Sequence, residues 1–97
     1  MPPVVLVHEG SGLTQEQYEE TISRMMGKER AESPSDWPVE GLLVHAAGEG
    51  PNGFRVVDVW ESEEACRAFG EKLGPVIQEI GITAEPQLYP AHTFVKA

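Results

Sequence analysis

Apolar positions recur along the chain with two different periods. Val4 to His8 is a short β-branched run, which predicts a strand buried on both faces. Gly10-Ser11-Gly12 breaks it. From Leu13 the period lengthens: Tyr18, Ile22, Met25 and Met26 fall at i, i+4, i+7 and i+8, one stripe on an otherwise polar helix. Thr14 and Gln17 have capping-box spacing, and Leu13 and Tyr18 occupy the two positions of a hydrophobic staple. The stripe runs out near Gly27.

Lys28 to Gly41 is polar and turn-rich, with Trp37 at its centre. Leu42–Ala47 and Phe54–Trp60 read as a second and third strand, joined as a hairpin by the turn Gly48–Gly53. Ser62 caps a second helix whose first turn carries Glu63 and Glu64, and Ala65, Phe69 and Leu73 form its buried stripe. Gly74-Pro75 is expected to break or kink it, leaving Val76, Ile77 and Ile80 on a last short helical piece before Gly81. Ala84–Tyr89 is a fourth strand and Pro90–Ala97 a tail with some extended character.

The resulting order, β-α-β-β-α-β, predicts an α+β fold: a four-stranded antiparallel sheet with both helices on one face. Alternation puts Val4 and Leu6 opposite Val5 and Val7, and Val57 and Val59 opposite Phe54, Val56 and Trp60. Both faces are apolar, yet two helices cover only one. A homodimer with its sheets face to face is therefore expected.

Ninety-seven residues make one domain, spanning 1–97. Sixteen acidic against seven basic residues give a net charge of −9, which argues against nucleic acid or an anionic membrane as partner. The N-terminal apolar run is too short for a signal peptide and no stretch is long enough to span a bilayer, so a cytoplasmic location is the expectation. Cys66 has no second cysteine to pair with.

Two titratable groups interrupt apolar strands. Asp58 shares a face with Val56 and Trp60, where a carboxylate costs several kcal/mol unless paired. It reads as a general base or ligand acceptor, or as a structural partner of Arg55, Arg67 or a backbone amide. His45 lies in the neighbouring strand and would form a proton-transferring pair with Asp58 if their faces agree, which a six-residue turn leaves open; a core histidine bonded to a carbonyl is the other reading. Trp60, Tyr18, Trp37 and Phe69 together suit the walls of a flat pocket for a small apolar or aromatic ligand, although for Tyr18 and Phe69 plain core packing is the better account. Trp37 is either a lid over that pocket or a dimer contact. His8 ends the first strand, as a pocket residue or a plain strand-end group, and His92 lies in the tail. The histidines show no HxH or HxxxH spacing, so no metal site is expected. Cys66, in the first turn of a helix whose dipole lowers a thiol pKa, has no neighbouring histidine to activate it. Nucleotide-binding glycine loops and the GxSxG elbow are absent from the sequence.

The stretch Gly41-Leu-Leu-Val-His-Ala-Ala-Gly48, followed by Phe54-Arg-Val-Val-Asp-Val-Trp-Glu-Ser-Glu-Glu-Ala65, resembles the dimeric α+β barrel superfamily, in the branch grouped with antibiotic biosynthesis monooxygenases. That resemblance implies a ferredoxin-like protomer, a barrel-forming homodimer and a pocket between sheet and helices. It also implies proton abstraction or oxygenation of an aromatic or polyketide-like substrate without a bound cofactor. Trp60 matches the tryptophan of haem-degrading members, but their strand-one asparagine and helix-two histidine have no counterpart, so haem degradation is not expected. Asp58 stands where monooxygenase members often place an asparagine or arginine. The rival readings are a non-catalytic homodimer that binds a small molecule or serves in stress, and a purely structural module.

Overall fold

The computed structural model describes residues 3–96 and gives the order β1 (Val4–Glu9), α1 (Gln15–Met26), a 3-10 turn at Pro34–Asp36, β2 (Leu42–Gly50), β3 (Gly53–Trp60), α2 (Glu63–Ile80) and β4 (Gln87–Pro90). The strands form one antiparallel sheet in the order β2-β3-β1-β4, the expected ferredoxin-like α+β topology. Met1, Pro2 and Ala97, the last being the end of the expected tail, lie outside the described residues.

The start of α1 forms as its sequence dictates. Gln17 donates its amide to Thr14 Oγ1 at 3.1 Å, and Thr14 donates its own to Gln17 Oε1 at 3.0 Å. Leu13 is buried and shares a cluster with Phe54 and Ile82, against which Tyr18 packs. Gly27 closes the helix in the left-handed region, φ 73°.

The elements depart from expectation at three places. β2 continues to Gly50, so the hairpin turn is only Pro51-Asn52. Gly53, at φ 109°, supplies the positive backbone angle that lets the chain re-enter the sheet. α2 runs unbroken through Pro75, because Glu71 and Pro75 lie on its exposed side and water can take the carbonyl that proline leaves without an amide. β4 begins at Gln87 rather than Ala84, because the preceding segment bonds elsewhere: Thr83 and Ala84 donate their amides to Gly12 O at 3.1 and 3.4 Å. The approach at Gly12 leaves no room for a side chain, since a Cβ there would stand 2.3 Å from Thr83 Oγ1 and 2.5 Å from Ala84 N. Gly12→Ala is therefore expected to lower the urea midpoint by the equivalent of about 1–3 kcal/mol with an unchanged slope.

The core lies between the sheet and the helices, with Val4, Trp37, Leu42, Trp60, Cys66 and Phe69 at one end and Leu13, Phe54 and Ile82 at the other. α1 buries Ile22 fully and its other apolar residues only in part; α2 buries Cys66 and Phe69, with Ala65 and Leu73 half-covered. The register aligns Tyr89, Val5, Val59 and Val44 across the opposite face, with Val7, Val57 and Ala46 in the next row. Val44 and Tyr89 are exposed there.

Candidate functional site

The short hairpin turn creates the site. Pairing Gly50 with Gly53 across Pro51-Asn52 sets a register that carries His45 directly opposite Asp58. Nearer the start of β2 the register shifts between Leu42 and Val44, and Leu42 pairs with Trp60. In a regular strand Leu42 and His45, three residues apart, would face opposite ways. The extra residue at Leu43 brings both onto the face covered by the helices. On that face His45, Asp58 and Leu6 form one cross-strand row.

Asp58 is 2% exposed, and its Oδ1 lies 2.6 Å from His45 Nδ1. A carboxylate only accepts hydrogen bonds, so Nδ1 carries the hydrogen. With only Nδ1 protonated, the lone pair lies on Nε2, and the Tyr18 hydroxyl 2.6 Å away is placed to donate to it. The result is a chain of three polar side chains, Tyr18–His45–Asp58, each on a different element. The Trp37 ring meets the His45 ring edge-on with centroids 4.7 Å apart, and Phe54 packs against Tyr18 at 5.2 Å. Burial first, and then the Asp58 charge, push the Tyr18 phenol above its ordinary range, which keeps it protonated at neutral pH.

Two of the spaces beside this chain reach its Tyr18–His45 end. Between sheet and helices is an apolar cavity of about 50 Å³, walled by Leu6, Ile22, Met25, Phe69 and Leu73 as well as by Tyr18, His45 and Asp58. Outside it, between α1, residues 29–31 and the edge strand β2, runs a polar groove of about 530 Å³. Tyr18 and His45 line both.

The other expected site residues divide. Trp37 and His8 line the inner cavity; His8 Nε2 also lies 2.7 Å from Ala84 O, tying β1 to the segment that leaves α2. Trp60 is wholly buried behind the cavity, stacked on Phe69 with centroids 5.2 Å apart, and its Nε1 has no partner. It is a core residue in this structure and not one of the cavity's walls. His92 is exposed in the tail. Among the described residues no three His, Cys, Asp or Glu side chains gather as a metal site, and no helix is long and apolar enough to cross a membrane.

At Cys66 the lowering expected from the helix dipole is overridden, in keeping with a thiol that is no nucleophile. Burial, with the charges of Asp58 and Glu63 behind it, pushes the thiol up to about 11, overriding the helix dipole. Below pH 9 the thiol is protonated in both folded and unfolded chains, so its contribution to stability is complete. As pH rises from about 9 towards 11 the unfolded thiol ionises first, and the native state loses that contribution. Urea denaturation across this window should show a fall in stability that is shallower in Cys66→Ala.

No family model and no curated protein matches the sequence. Among solved structures, the chain superposes on a single-site variant of SnoaB, a cofactor-independent oxygenase from Streptomyces nogalater, with TM-score 0.63 and 16% identity over 100% of both chains. A protein of Shewanella loihica PV-4 superposes at 0.60 with 17% identity, over 96% of this chain and 97% of its own. A conserved protein from Methanosarcina mazei Go1 does so at 0.57 and 13%, over 93% of each. At these identities what is shared is the fold.

Proposed function

We propose that this chain is a small-molecule enzyme working by cofactor-independent proton transfer, with the His45–Asp58 pair as its base. The observation that carries this reading is the pair itself: an imidazole and a carboxylate 2.6 Å apart, on the wall of an apolar cavity and beside a ligand-sized groove. The carboxylate fixes the imidazole tautomer and would stabilise the imidazolium formed on proton uptake. Dry, apolar surroundings strengthen both effects. The groove falls within the ~300–1,000 Å³ of small-molecule sites, whereas the inner cavity of about 50 Å³ admits little more than water. The substrate class we assign is a flat apolar or aromatic molecule with an acidic C–H next to a carbonyl, of aromatic or polyketide-like type. Oxygenation would follow where dioxygen reacts with the resulting carbanion, the chemistry expected from the monooxygenase-like resemblance. The shared fold with SnoaB supports this reading at the level of architecture.

The protein is proposed to act as a homodimer, because the sheet face opposite the helices leaves Val44 and Tyr89 exposed and Val5, Val57 and Val59 only half-buried, and these need a cover. Native mass spectrometry tests this, and a mass adduct on the dimer would identify a bound ligand. Chemistry is tested with β-tetralone, a flat aromatic ketone, by following deuterium incorporation beside its carbonyl in deuterium oxide. Exchange faster than in buffer supports the reading. The narrow inner cavity favours a second one, a dimer that binds a small molecule without turning it over; it predicts β-tetralone binding with exchange no faster than in buffer.

A further inference from the structure

We propose that Tyr18 is the residue that exchanges the proton with the ligand, and that His45 and Asp58 act through it. This inference rests on the proton-transfer reading above and assigns the atom that touches the substrate. Both nitrogens of His45 are engaged within the protein: Nδ1 bonds Asp58 Oδ1 and Nε2 faces the Tyr18 hydroxyl, each at 2.6 Å. A ligand cannot reach the Nε2 lone pair while the phenol occupies it. The edge of Trp37 and the Tyr18 ring, which lies nearly parallel to the imidazole at 12°, hold His45 in this arrangement. Tyr18 stands at the end of the chain and lines the outer groove as well as the inner cavity. The Asp58 carboxylate also keeps lone pairs but is 2% exposed and lines only the inner cavity, whereas the Tyr18 oxygen has a lone pair to spare on the element that lines the groove.

The step balances without any further reactant. A ligand C–H bond next to a carbonyl breaks, and its electron pair passes to the carbonyl oxygen as an enolate. The proton forms a new O–H bond on Tyr18 as the phenol's original proton passes to His45 Nε2. The imidazolium keeps its Nδ1–H directed at the Asp58 carboxylate, so the positive charge forms beside a fixed negative one. The restored phenol is then a donor for the enolate. Running the relay backwards, onto the same or another carbon, returns every residue to its starting state. Because Tyr18 is a phenol at rest, it takes up a proton only while giving one away, which is why it needs the imidazole behind it.

The test is the deuterium exchange of β-tetralone by Tyr18→Phe, which keeps the ring against Phe54 and His45 and removes only the hydroxyl. A second variant carries fluorotyrosine at position 18, which keeps the hydroxyl. Exchange is expected to fall by about 10²–10⁴-fold in the phenylalanine variant, and to stay within about tenfold of wild type in the fluorotyrosine protein. Unchanged circular dichroism would show that the loss is not one of fold. Exchange at the wild-type rate in Tyr18→Phe overturns the assignment and returns proton transfer to His45 or Asp58 directly. Wild-type exchange no faster than buffer overturns the proton-transfer reading itself, and the role of Tyr18 with it.

Discussion

Asp58→Asn is expected to reduce β-tetralone exchange by about 10³–10⁴-fold while leaving the fold intact. The size follows from what a carboxylate does behind an imidazole, since loss of the aspartate charge from the serine protease triad costs about 10⁴ through a reversed tautomer. Here Asp58 accepts from His45 Nδ1 and so directs the Nε2 lone pair at Tyr18. An asparagine can turn its NH₂ towards Nδ1, which moves the ring hydrogen to Nε2 and blocks uptake of the phenol's proton. Stability should change little, because the variant removes a charge that is 2% exposed and replaces it with a neutral group of the same shape. A second readout needs no substrate. The Asp58 charge contributes to the raised pKa of both Tyr18 and Cys66, so both should titrate at lower pH in the variant, although burial remains the larger cause in each. Undiminished exchange, with both titrations shifted as expected, would show that the pair shapes the local field and does no chemistry.

What the sequence disclosed of this site, and what it withheld, turns on one hairpin. Periodicity was enough to place the elements and order them, because helix and strand differ in period and the caps at Thr14 and Ser62 mark where each helix starts. It also placed His45 and Asp58 on neighbouring strands. Whether they meet depends on parity across the turn, and a one-residue slip sends a side chain to the other face. Reading Gly48–Gly53 as loop left that parity open. Pro51-Asn52 between two glycines was the available signal, since proline suits the first central position of a tight turn and glycine the residue that leaves it. Nothing local marked the bulge at Leu43: neither strand needs it, and only Leu42 packing beneath Trp37 and Trp60 while His45 meets Asp58 makes it necessary. Tyr18 was legible as a staple residue but not as the third member of a chain, because its partner lies 27 residues away. Pro75 misled for the opposite reason. A rule about a lost hydrogen bond has force only where water cannot replace it, and that side of α2 is exposed.

Trp60 separates core packing from ligand binding, and its two substitutions should behave very differently. Trp60→Ala empties a site with no exposure at all, beside Phe69, and a buried Trp→Ala change costs about 3–5 kcal/mol. Against the ~5–15 kcal/mol that holds a domain together, this is a large share of the total, and the urea midpoint should fall accordingly. Trp60→Phe retains the ring that stacks on Phe69 and discards Nε1, a buried donor with no acceptor in this structure. Releasing an unsatisfied buried group returns about 1–3 kcal/mol, which offsets most of the volume lost with the indole. The phenylalanine variant should therefore fall within about 1–2 kcal/mol of wild type in urea denaturation and exchange β-tetralone at an unaltered rate. The sequence reading of Trp60 as one wall of a flat ligand pocket points the other way. On that view Trp60→Phe would keep its stability and lose exchange, with Nε1 unpaired because its acceptor is carried by the ligand. A variant equal to wild type in both measurements assigns Trp60 to the core and leaves recognition to Trp37, His8 and the Tyr18 phenol, the expected binding residues that do line the cavity.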